Sequence, residues 1–321
     1  MHRALIRLLV ILMASAATCL IPGSVGAAAP VTLKVALLPI FDVLPYYVAE
    51  EKGYFDDARF KMEALPVGSA VERDQLIQAG AVDGAVNEMI SVVNFNRERP
   101  TAMVVGTARK SMPGAPLFRI LAAPGSAIEH PRDLAGVPIG VSMNTIIAYV
   151  TDRLLTDQGL SPEQIRMQSV PVIPERFQLL IQGQLRAAVI PDPLGASAIL
   201  AGAVEVMNDD AYARFASSVI TVTRKAIDAH PEAVRWLLAG WNRAAADINR
   251  APDEYRAVVL KHIRVPKNLE KSFKVPPFPV AEVPVADQWN DVNRWMITNG
   301  LLKQPMPYDS GVTAAFLPGH Y

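Results

Sequence analysis

The chain has 321 residues, enough for two lobes of ordinary size, and 51% of them are apolar, which excludes a disordered chain. Lys and Arg together number 31, and so do Asp and Glu. A neutral chain without a basic tract argues against nucleic acid and anionic membrane as partners.

The N-terminus has the layout of a secretory signal. Arg3 and Arg7 precede an uncharged apolar run over residues 8–21, and small residues follow. The run is shorter than the ~20 residues that a membrane-spanning helix needs, although an uncleaved anchor stays open as the alternative. We therefore predict a cleaved signal peptide over residues 1–27, with cleavage after Ala27, and a periplasmic location.

Cys19 is the only cysteine and lies inside this signal. Thr18 before it is larger than a lipoprotein box prefers, so lipid anchoring is open but not favoured. Cleavage after Ala27 leaves a mature chain without cysteine. Such a chain has no disulfide, no thiolate nucleophile and no cysteine-based metal site.

Strands and helices alternate after the signal. Short apolar runs bounded by turn residues predict strands over residues 31–38, 60–65, 84–86 and 103–107. Helices are predicted after Asp42 as far as Gly53, and over residues 70–79 and 88–96. This spacing is typical of a largely parallel sheet covered by helices.

The same pattern recurs in the second half. Further strands are predicted over residues 118–122, 137–141, 167–172, 187–190, 204–207 and 218–223. Helices are predicted from Asn144 or Thr145 to Gly159, from the capping-box pattern at 161–164, and over 175–181 and 194–201. Two such runs predict two α/β lobes.

The C-terminal part is mostly helical. Apolar stripes predict helices over residues 230–249, 253–263 and 285–299. The proline-rich stretch 264–284 is predicted to lie extended over the surface.

Catalytic signatures are scarce. The sequence has no H-E-x-x-H, no G-x-S-x-G, no P-loop and no G-x-G-x-x-G, and its five histidines are not spaced as a metal pair. The sequence therefore predicts neither an enzyme nor a resident cofactor or metal.

Polar residues stand instead where predicted strands end and helices begin. They are Asp42, Ser69, Asn87, Glu88, Ser142, Asn144, Thr145 and Asp192. Ligands bind at the carboxyl ends of strands in open α/β sheets, where helix N-termini also present free N–H groups. For any single residue a helix cap, worth about 1 kcal/mol, is the commoner role.

Four motifs carry a resemblance to a known family. They are PIFDVLPYYVAEEKGYF at 39–55, QAGAVDGA at 78–85, PRDLAGVPIGV at 131–141 and LIQGQLRAAVIPDP at 180–193. In this order they resemble the periplasmic solute-binding proteins of ABC importers for nitrate, sulfonates and thiamine-pyrimidine precursors. The first motif matches the family's helix ending A-x-x-K-G-Y/F-F, whereas Arg186 stands where the family usually has an acid.

The resemblance implies a two-lobed periplasmic-binding-protein fold of type II. Each lobe would hold a mixed, mainly parallel sheet flanked by helices, with the ligand in a cleft between the lobes. Lobe I would comprise 30–117 and 222–321, and lobe II 118–221, with hinge strands near Phe118 and Thr221 and the C-terminal helices on lobe I. The implied role is capture of a solute by hinge closure and delivery to an ABC permease and its ATPase, by a monomeric protein that is not an enzyme.

The predicted ligand contacts combine the polar strand ends with nearby aromatic side chains. They are Asp42, Ser69, Glu88, Asn144, Thr145 and Asp192, with Phe41, Tyr46 and Phe177 as stacking surfaces. Three carboxylates make the cleft negative, and the nearest basic residue, Arg73, is flanked by acids. A neutral or amine-bearing organic ligand, such as a planar heterocycle, is therefore favoured over a bare anion.

Two alternatives stay open at this point. An enzyme of the same fold, related to pyrimidine synthase, would need that enzyme's cysteine-rich iron motif. A sensing accessory of a membrane receptor would bind the same solute, and sequence cannot separate it from a transport protein.

Overall fold

The computed structural model describes residues 29–319. The predicted signal peptide and Cys19 lie outside this range. Within it, no helix has the length and apolar character needed to cross a membrane.

The described chain contains ten β-strands. They are β1 (Val31–Leu37), β2 (Phe60–Pro66), β3 (Gly84–Asn87), β4 (Ala102–Lys110), β5 (Phe118–Ala122), β6 (Pro138–Val141), β7 (Arg166–Ser169), β8 (Ala187–Pro191), β9 (Val204–Asn208) and β10 (Ser217–Thr223).

The helices of residues 29–319 lie between and after these strands. They are α1 (Leu44–Glu51), α2 (Ala70–Gln78), α3 (Met89–Phe95), α4 (Ile146–Asp157), α5 (Ile173–Ile181), α6 (Leu194–Leu200), α7 (Arg224–Ala229), α8 (Pro231–Arg250), α9 (Arg256–His262), α10 (Ala286–Thr298) and α11 (Tyr308–Gly311). Short 3₁₀ turns precede α1 at Phe41–Val43 and α9 at Pro252–Tyr255.

In the described chain the strands form two sheets of matching design, in the orders β2-β1-β3-β10-β4 and β7-β6-β8-β5-β9. The central strand pairs with parallel neighbours in both, β1 with β2 and β3, and β6 with β7 and β8. One strand in each sheet is antiparallel, β10 in the first and β5 in the second. We call the half with the first sheet lobe I and the half with the second sheet lobe II.

Two connections join the lobes, residues 111–117 between β4 and β5 and residues 209–216 between β9 and β10. The N–H of Ser111 donates to the carbonyl oxygen of Ala216 (3.1 Å), so the connections run side by side. The carboxylate of Asp209 accepts the N–H groups of Leu117 (2.9 Å) and Phe118 (3.2 Å). The start of β5 is thereby fixed to the end of β9.

The predicted apolar stripe of α8 forms the main contact of the C-terminal region with lobe I. Val234, Leu237, Trp241 and Ile248 are all buried, and α8 packs on α1. Gly240 lies where a Cβ atom would come within 2.4 Å of the Phe55 ring, so this close approach needs glycine. Burial of this stripe drives the packing of α8 on lobe I.

The helix α10 contacts both lobes. It packs on α3 of lobe I, and Asp291 Oδ2 accepts hydrogen bonds from Tyr149 Oη (2.7 Å) and Arg153 Nε (2.8 Å) on α4 of lobe II. The prediction that the C-terminal helices pack on the first lobe therefore holds for α8 and is incomplete for α10.

Two local predictions were wrong. The capping-box pattern at 161–164 forms a turn, in which Ser161 N–H donates to Gln164 Oε1, and no helix follows. Asp42 does not cap α1, because it lies inside the 3₁₀ turn, and the N-cap position belongs to Val43.

Candidate functional site

A cavity of about 70 Å³ lies where the strand ends of the two lobes face each other. Lobe I contributes the polar residues Asp42, Arg73, Asn87 and Glu88, and lobe II contributes Ser142 and Thr145. Apolar side chains that include Leu38, Ile40, Val86, Phe118, Ile147 and Ile173 complete the wall. An apolar cavity with a few converging polar groups is the usual form of a small-molecule site.

Asp42 enters the cavity from the 3₁₀ turn after β1. Its Oδ1 forms an ion pair with Arg109 Nη1 at 3.2 Å, and both side chains are buried. Arg109 Nη2 also donates to the carbonyl oxygen of Pro116 (2.8 Å). A carboxylate that does not cap a helix and uses one oxygen in an ion pair can direct its other oxygen to a ligand.

Glu88 stands at the N-cap position of α3 but makes no side-chain capping bond. Its Oε2 lies 3.0 Å from Arg73 Nη2, and Arg73 Nε pairs with Asp74 Oδ1 at 2.8 Å. Burial raises the pKa of Glu88 and the Arg73 guanidinium only partly offsets this. Burial alone would lower the pKa of Arg73, but Glu88 and Asp74 raise it overall. This network carries one cation and two carboxylates.

Asn87 precedes Glu88 and lies at the end of β3. Thr221 Oγ1 donates to its Oδ1, whereas among residues 29–319 no acceptor lies within reach of its buried Nδ2. A buried donor without an acceptor costs about 1–3 kcal/mol. A ligand oxygen or ring nitrogen in the cavity would remove that cost.

Lobe II presents the end of β6 and the N-terminus of α4. Thr145 caps α4, since its Oγ1 accepts the N–H of Ile147 (3.1 Å). Ser142 Oγ donates to the carbonyl oxygen of Pro171 (3.2 Å) and accepts from Arg176 Nη1 (3.0 Å). Thr145, Ile146 and Ile147, at the N-terminus of α4, line the cavity, and the first N–H groups of a helix have no acceptor within the helix.

Three of the nine predicted contacts, Asp42, Glu88 and Thr145, line this cavity. Ser69 caps α2 by accepting the N–H of Glu72 (3.1 Å), and only its neighbour Ala70 reaches the wall. Asn144 is exposed beside it, with a positive φ of 59°. Asp192 is held by Arg119 in a two-point ion pair at 2.7 and 2.9 Å, and only its neighbour Pro191 lines the cavity.

None of the three predicted stacking aromatics lines the cavity; Phe41 and Tyr46 are buried in the core and Phe177 is partly buried. Phe41 packs against Phe273, and Tyr46 is fully buried between Tyr47 and Phe55. Phe177 packs on the buried face shared by α5 and α6. These aromatic side chains fill space between helix and sheet, which is their commoner role.

Sequence reasoning missed two arginines beside the site, Arg109 and Arg176. Both are buried, at 2% and 0% exposure. Arg176 had a visible signal, because it stands in the apolar stripe of α5 together with Ile173 and Leu180. Arg73, which stands between two acidic residues in the sequence, is also buried at 2% exposure.

Residues 29–319 contain no cysteine, and within them no group of three or more His, Cys, Asp or Glu side chains could hold a metal ion.

A model of the NMT1/THI5-like family matches residues 40–255 of the sequence. No curated protein matches it. The ligand-binding component of an ABC-type import system from Staphylococcus aureus, solved with zinc bound, is a structural neighbour with a TM-score of 0.76. It is 12% identical, and the match covers 91% of this chain and 99% of that one.

Two further solved structures of similar fold are a binding protein and an enzyme. The alkanesulfonate-binding protein SsuA from Xanthomonas axonopodis pv. citri, bound to MOPS, is 18% identical with a TM-score of 0.72, over 89% of this chain and 99% of that one. The desulfurization enzyme DSZB is 16% identical with a TM-score of 0.68, over 90% and 98%. Identities this low show the fold alone, and they confirm the predicted two-lobed α/β periplasmic-binding-protein fold.

Proposed function

Because the chain belongs to the NMT1/THI5-like family, as its four motifs predicted, we propose that it is the solute-binding component of an ABC importer. It captures a small organic molecule between its lobes and delivers it to a membrane permease with its ATPase. The observation that carries this proposal is the cavity between the lobes, whose wall combines Asp42 and Glu88 with Ser142 and Thr145.

The proposed motion is hinge closure about the two connections, 111–117 and 209–216. Lobe I would comprise 30–117 and 222–321, and lobe II 118–221. The cavity volume of about 70 Å³ has room for roughly five water-sized groups, and this small size supports a nearly closed cleft. A larger ligand enters only when the lobes separate.

The proposed ligand is a neutral or amine-bearing organic molecule, for which a planar heterocycle is one suitable form. Asp42 and Glu88 supply acceptors for its N–H groups, and the unpaired Nδ2 of Asn87 supplies a donor. The apolar wall accommodates its carbon skeleton. Sequence features favour an exported, periplasmic protein, with residues 1–27 as the signal.

An enzyme is the rival of a different class, since DSZB shares the fold. The absence of cysteine from residues 29–319 favours binding over thiol chemistry. A sensing accessory would share the site, and an adjacent permease and ATPase gene would favour transport over sensing.

The test is a thermal-shift screen of the mature protein against metabolite fractions. A ligand at one hundred times its Kd adds about 2.7 kcal/mol, or roughly 5 °C in Tm for a chain of this size. Asp42→Asn and Glu88→Gln should abolish the shift, whereas the exposed control Glu270→Ala should retain it. The proposal fails if no fraction raises Tm, or if both cavity variants respond like the parent protein.

A further inference from the structure

A second, larger groove lies on the other face of β10 from the ligand cavity. Successive side chains of a strand point to opposite faces, so Ser218 lines the cavity whereas Ser217 lines this groove. The groove has a volume of about 1230 Å³, and its lining residues in the described chain all differ from those of the cavity. We call it the hinge-side groove, because residues 213–215 of the second connection between the lobes line it.

Both lobes contribute to the hinge-side groove. Thr107 and Lys110 come from β4 of lobe I. From α4 of lobe II come Arg153, Thr156 and Asp157. The helix α10, which contacts both lobes, supplies further lining residues. A molecule that fills the groove therefore contacts both lobes at once.

The charged side chains that line the groove are paired with one another. The ion pairs are Lys110–Glu282 (2.8 Å), Arg214–Asp157 (2.9 Å), Arg153–Asp291 (2.8 Å) and Arg294–Asp291 (3.0 Å). With Asp287 included, the lining carries four cations and four carboxylates, so its net charge is zero. A charged ligand would contact groups of its own sign here, whereas a neutral ligand leaves every pair intact. The charge pattern therefore favours a neutral ligand.

Two buried hydroxyl groups at the floor of the groove lack hydrogen-bond partners. Thr107 and Ser217 stand on the neighbouring strands β4 and β10, and they are 6% and 2% exposed. Within residues 29–319, neither Thr107 Oγ1 nor Ser217 Oγ has a partner. Rotation of either side chain to another staggered rotamer changes the direction of its hydroxyl, and a polar ligand in the groove would satisfy it. The floor of the groove is thus polar and incompletely hydrogen-bonded.

Sugar hydroxyl groups match this lining. Each of them donates and accepts hydrogen bonds, as do the hydroxyls of Thr107, Ser217 and Thr156. A paired carboxylate keeps free lone pairs and a paired guanidinium keeps free N–H groups, so both can bind neutral hydroxyls. Val283 and Phe215 add apolar surface for the C–H face of a sugar ring. Pockets of ~300–1,000 Å³ already hold drug-sized molecules, so this groove has room for several sugar rings.

We propose that the hinge-side groove is a second binding site, which takes a neutral oligosaccharide of a few rings. The site is separate from the solute cavity, so it goes beyond the proposed transport role and does not depend on it. An oligosaccharide bound there contacts α4 and β4 together and stabilises the present arrangement of the lobes.

A water-filled gap between the lobes is the alternative interpretation of this groove. In that case ordered water satisfies the hydroxyls of Thr107 and Ser217, as it does for many buried polar groups. Saccharides would then not bind, and removal of either hydroxyl would change no affinity. Neutral and charged probes of equal length separate the two interpretations.

The experiment is calorimetry on the mature protein with neutral and charged trisaccharides. The neutral probes are maltotriose, cellotriose and the N-acetylglucosamine trimer. The charged probes are the glucosamine trimer, a cation, and the galacturonate trimer, an anion. We expect at least one neutral probe to bind at least about ten-fold more tightly than both charged probes. Asp42→Asn, in the solute cavity, should leave that affinity unchanged.

Two variants test whether this probe binds in the groove. Thr107→Val removes an unpartnered hydroxyl, so it should weaken the probe about three-fold or more without lowering Tm, and Thr107→Ser should restore most of the affinity. Thr156→Trp places a bulky side chain on an exposed position of α4 inside the groove, and it should abolish binding. Gln178→Trp, exposed on α5 and outside the groove, is the matched control and should bind like the parent protein.

Four results would overturn the inference. Either no neutral probe binds, or a charged probe binds as tightly as the best neutral one, or one of the two groove variants leaves the affinity unchanged. Loss of saccharide binding in Asp42→Asn is the fourth, because it would place the saccharide in the solute cavity. Should Thr156→Trp not fold, Thr107→Val and Thr107→Ser decide. The solute-binding proposal stands or falls separately, on the screen of metabolite fractions.

Discussion

Arg109 joins Asp42 of the ligand cavity to the hinge of the molecule. Its Nη1 lies 3.2 Å from Asp42 Oδ1, and its Nη2 donates at 2.8 Å to the carbonyl oxygen of Pro116, within the first connection between the lobes. All of these contacts are buried. A ligand that engages Asp42 therefore contacts a group that is already fixed to the chain about which the lobes move.

Arg109→Met should be strongly destabilising, because it leaves Asp42 buried without its partner. Breaking a buried pair from one side costs about 3–5 kcal/mol. The free energy of unfolding, measured in urea, tests this. The neighbouring Lys110 forms a partly exposed pair with Glu282 (2.8 Å), so Lys110→Met is the matched control and should cost about 1 kcal/mol or less. If Arg109→Met and Lys110→Met lost the same free energy of unfolding, the strong contribution of the buried Arg109–Asp42 pair would be contradicted.

Ser69→Ala should lower stability without changing ligand affinity. Ser69 caps α2 and does not line the cavity, so its loss should cost about 1 kcal/mol. Glu88→Gln should lower ligand affinity, because Glu88 makes no capping bond and faces the cavity, and it should also lower stability, because it breaks the buried pair with Arg73 (3.0 Å). Urea unfolding measures the stability of both variants, and calorimetry measures their ligand affinity. A drop in affinity for Ser69→Ala as large as that for Glu88→Gln would refute this prediction.

Asp209 should make the protein less stable as pH rises toward neutrality. Burial raises its pKa from 3.8 to about 7, although the N–H groups of Phe118 and Leu117 and the charge of Arg109 partly offset this. Between these values the folded state binds more protons than the unfolded state, so stability is greatest at acidic pH and is lost as pH approaches 7. The loss from this one group is about 4 kcal/mol at most.

Asp209→Asn should flatten this dependence. Urea unfolding at several values between pH 4.5 and 7.5 measures the slope for the parent and the variant. Half-buried Asp210→Asn serves as a neighbouring control, since its carboxylate accepts only the N–H of Gly114 (3.2 Å) among the described hydrogen bonds. A slope that persists unchanged in Asp209→Asn would show that Asp209 is not its source.

Asp291 should favour the closed arrangement of the lobes. From α10 it accepts hydrogen bonds from Tyr149 and Arg153 across the lobe boundary. Asp291→Asn weakens both contacts, which are partly exposed. We therefore expect the free energy that favours the closed arrangement to fall by about 1 kcal/mol, and the ligand affinity to be roughly five-fold weaker. Small-angle scattering should show a larger radius of gyration without ligand. Exposed Asp287→Asn, in the same helix, should leave both quantities unchanged.

Much of the fold could be predicted because the signals are local. The apolar run that predicted a strand over residues 31–38 forms β1 at Val31–Leu37, and the stripe of α8 is buried as expected. The capping pattern at 161–164 misled because the same hydrogen bonds also close a turn. The residues at 161–164 can therefore form either the start of a helix or a closed turn, and the sequence alone does not distinguish the two.

The site was harder to predict, because its key contacts join distant parts of the chain. Arg109 and Asp42 are 67 residues apart, and only the topology of the first sheet brings them together. A residue type at a strand end cannot reveal whether it caps a helix, as Ser69 does, or faces a cavity, as Glu88 does. The aromatic residues are equally ambiguous in the sequence, because aromatic side chains are common both in protein cores and at ligand sites.

The closure of the two lobes over a solute is the central claim, and spin-label distances test it directly. Ala70 and Ile173, which line the cavity, begin α2 and α5 on opposite lobes. Gln75 and Gln178 are exposed further along these helices. Labels at Gln75→Cys and Gln178→Cys should give a broad distribution of distances in the free protein. A metabolite fraction that raises Tm should replace it with a shorter, narrower one, and an unchanged distribution at saturating ligand would contradict the account.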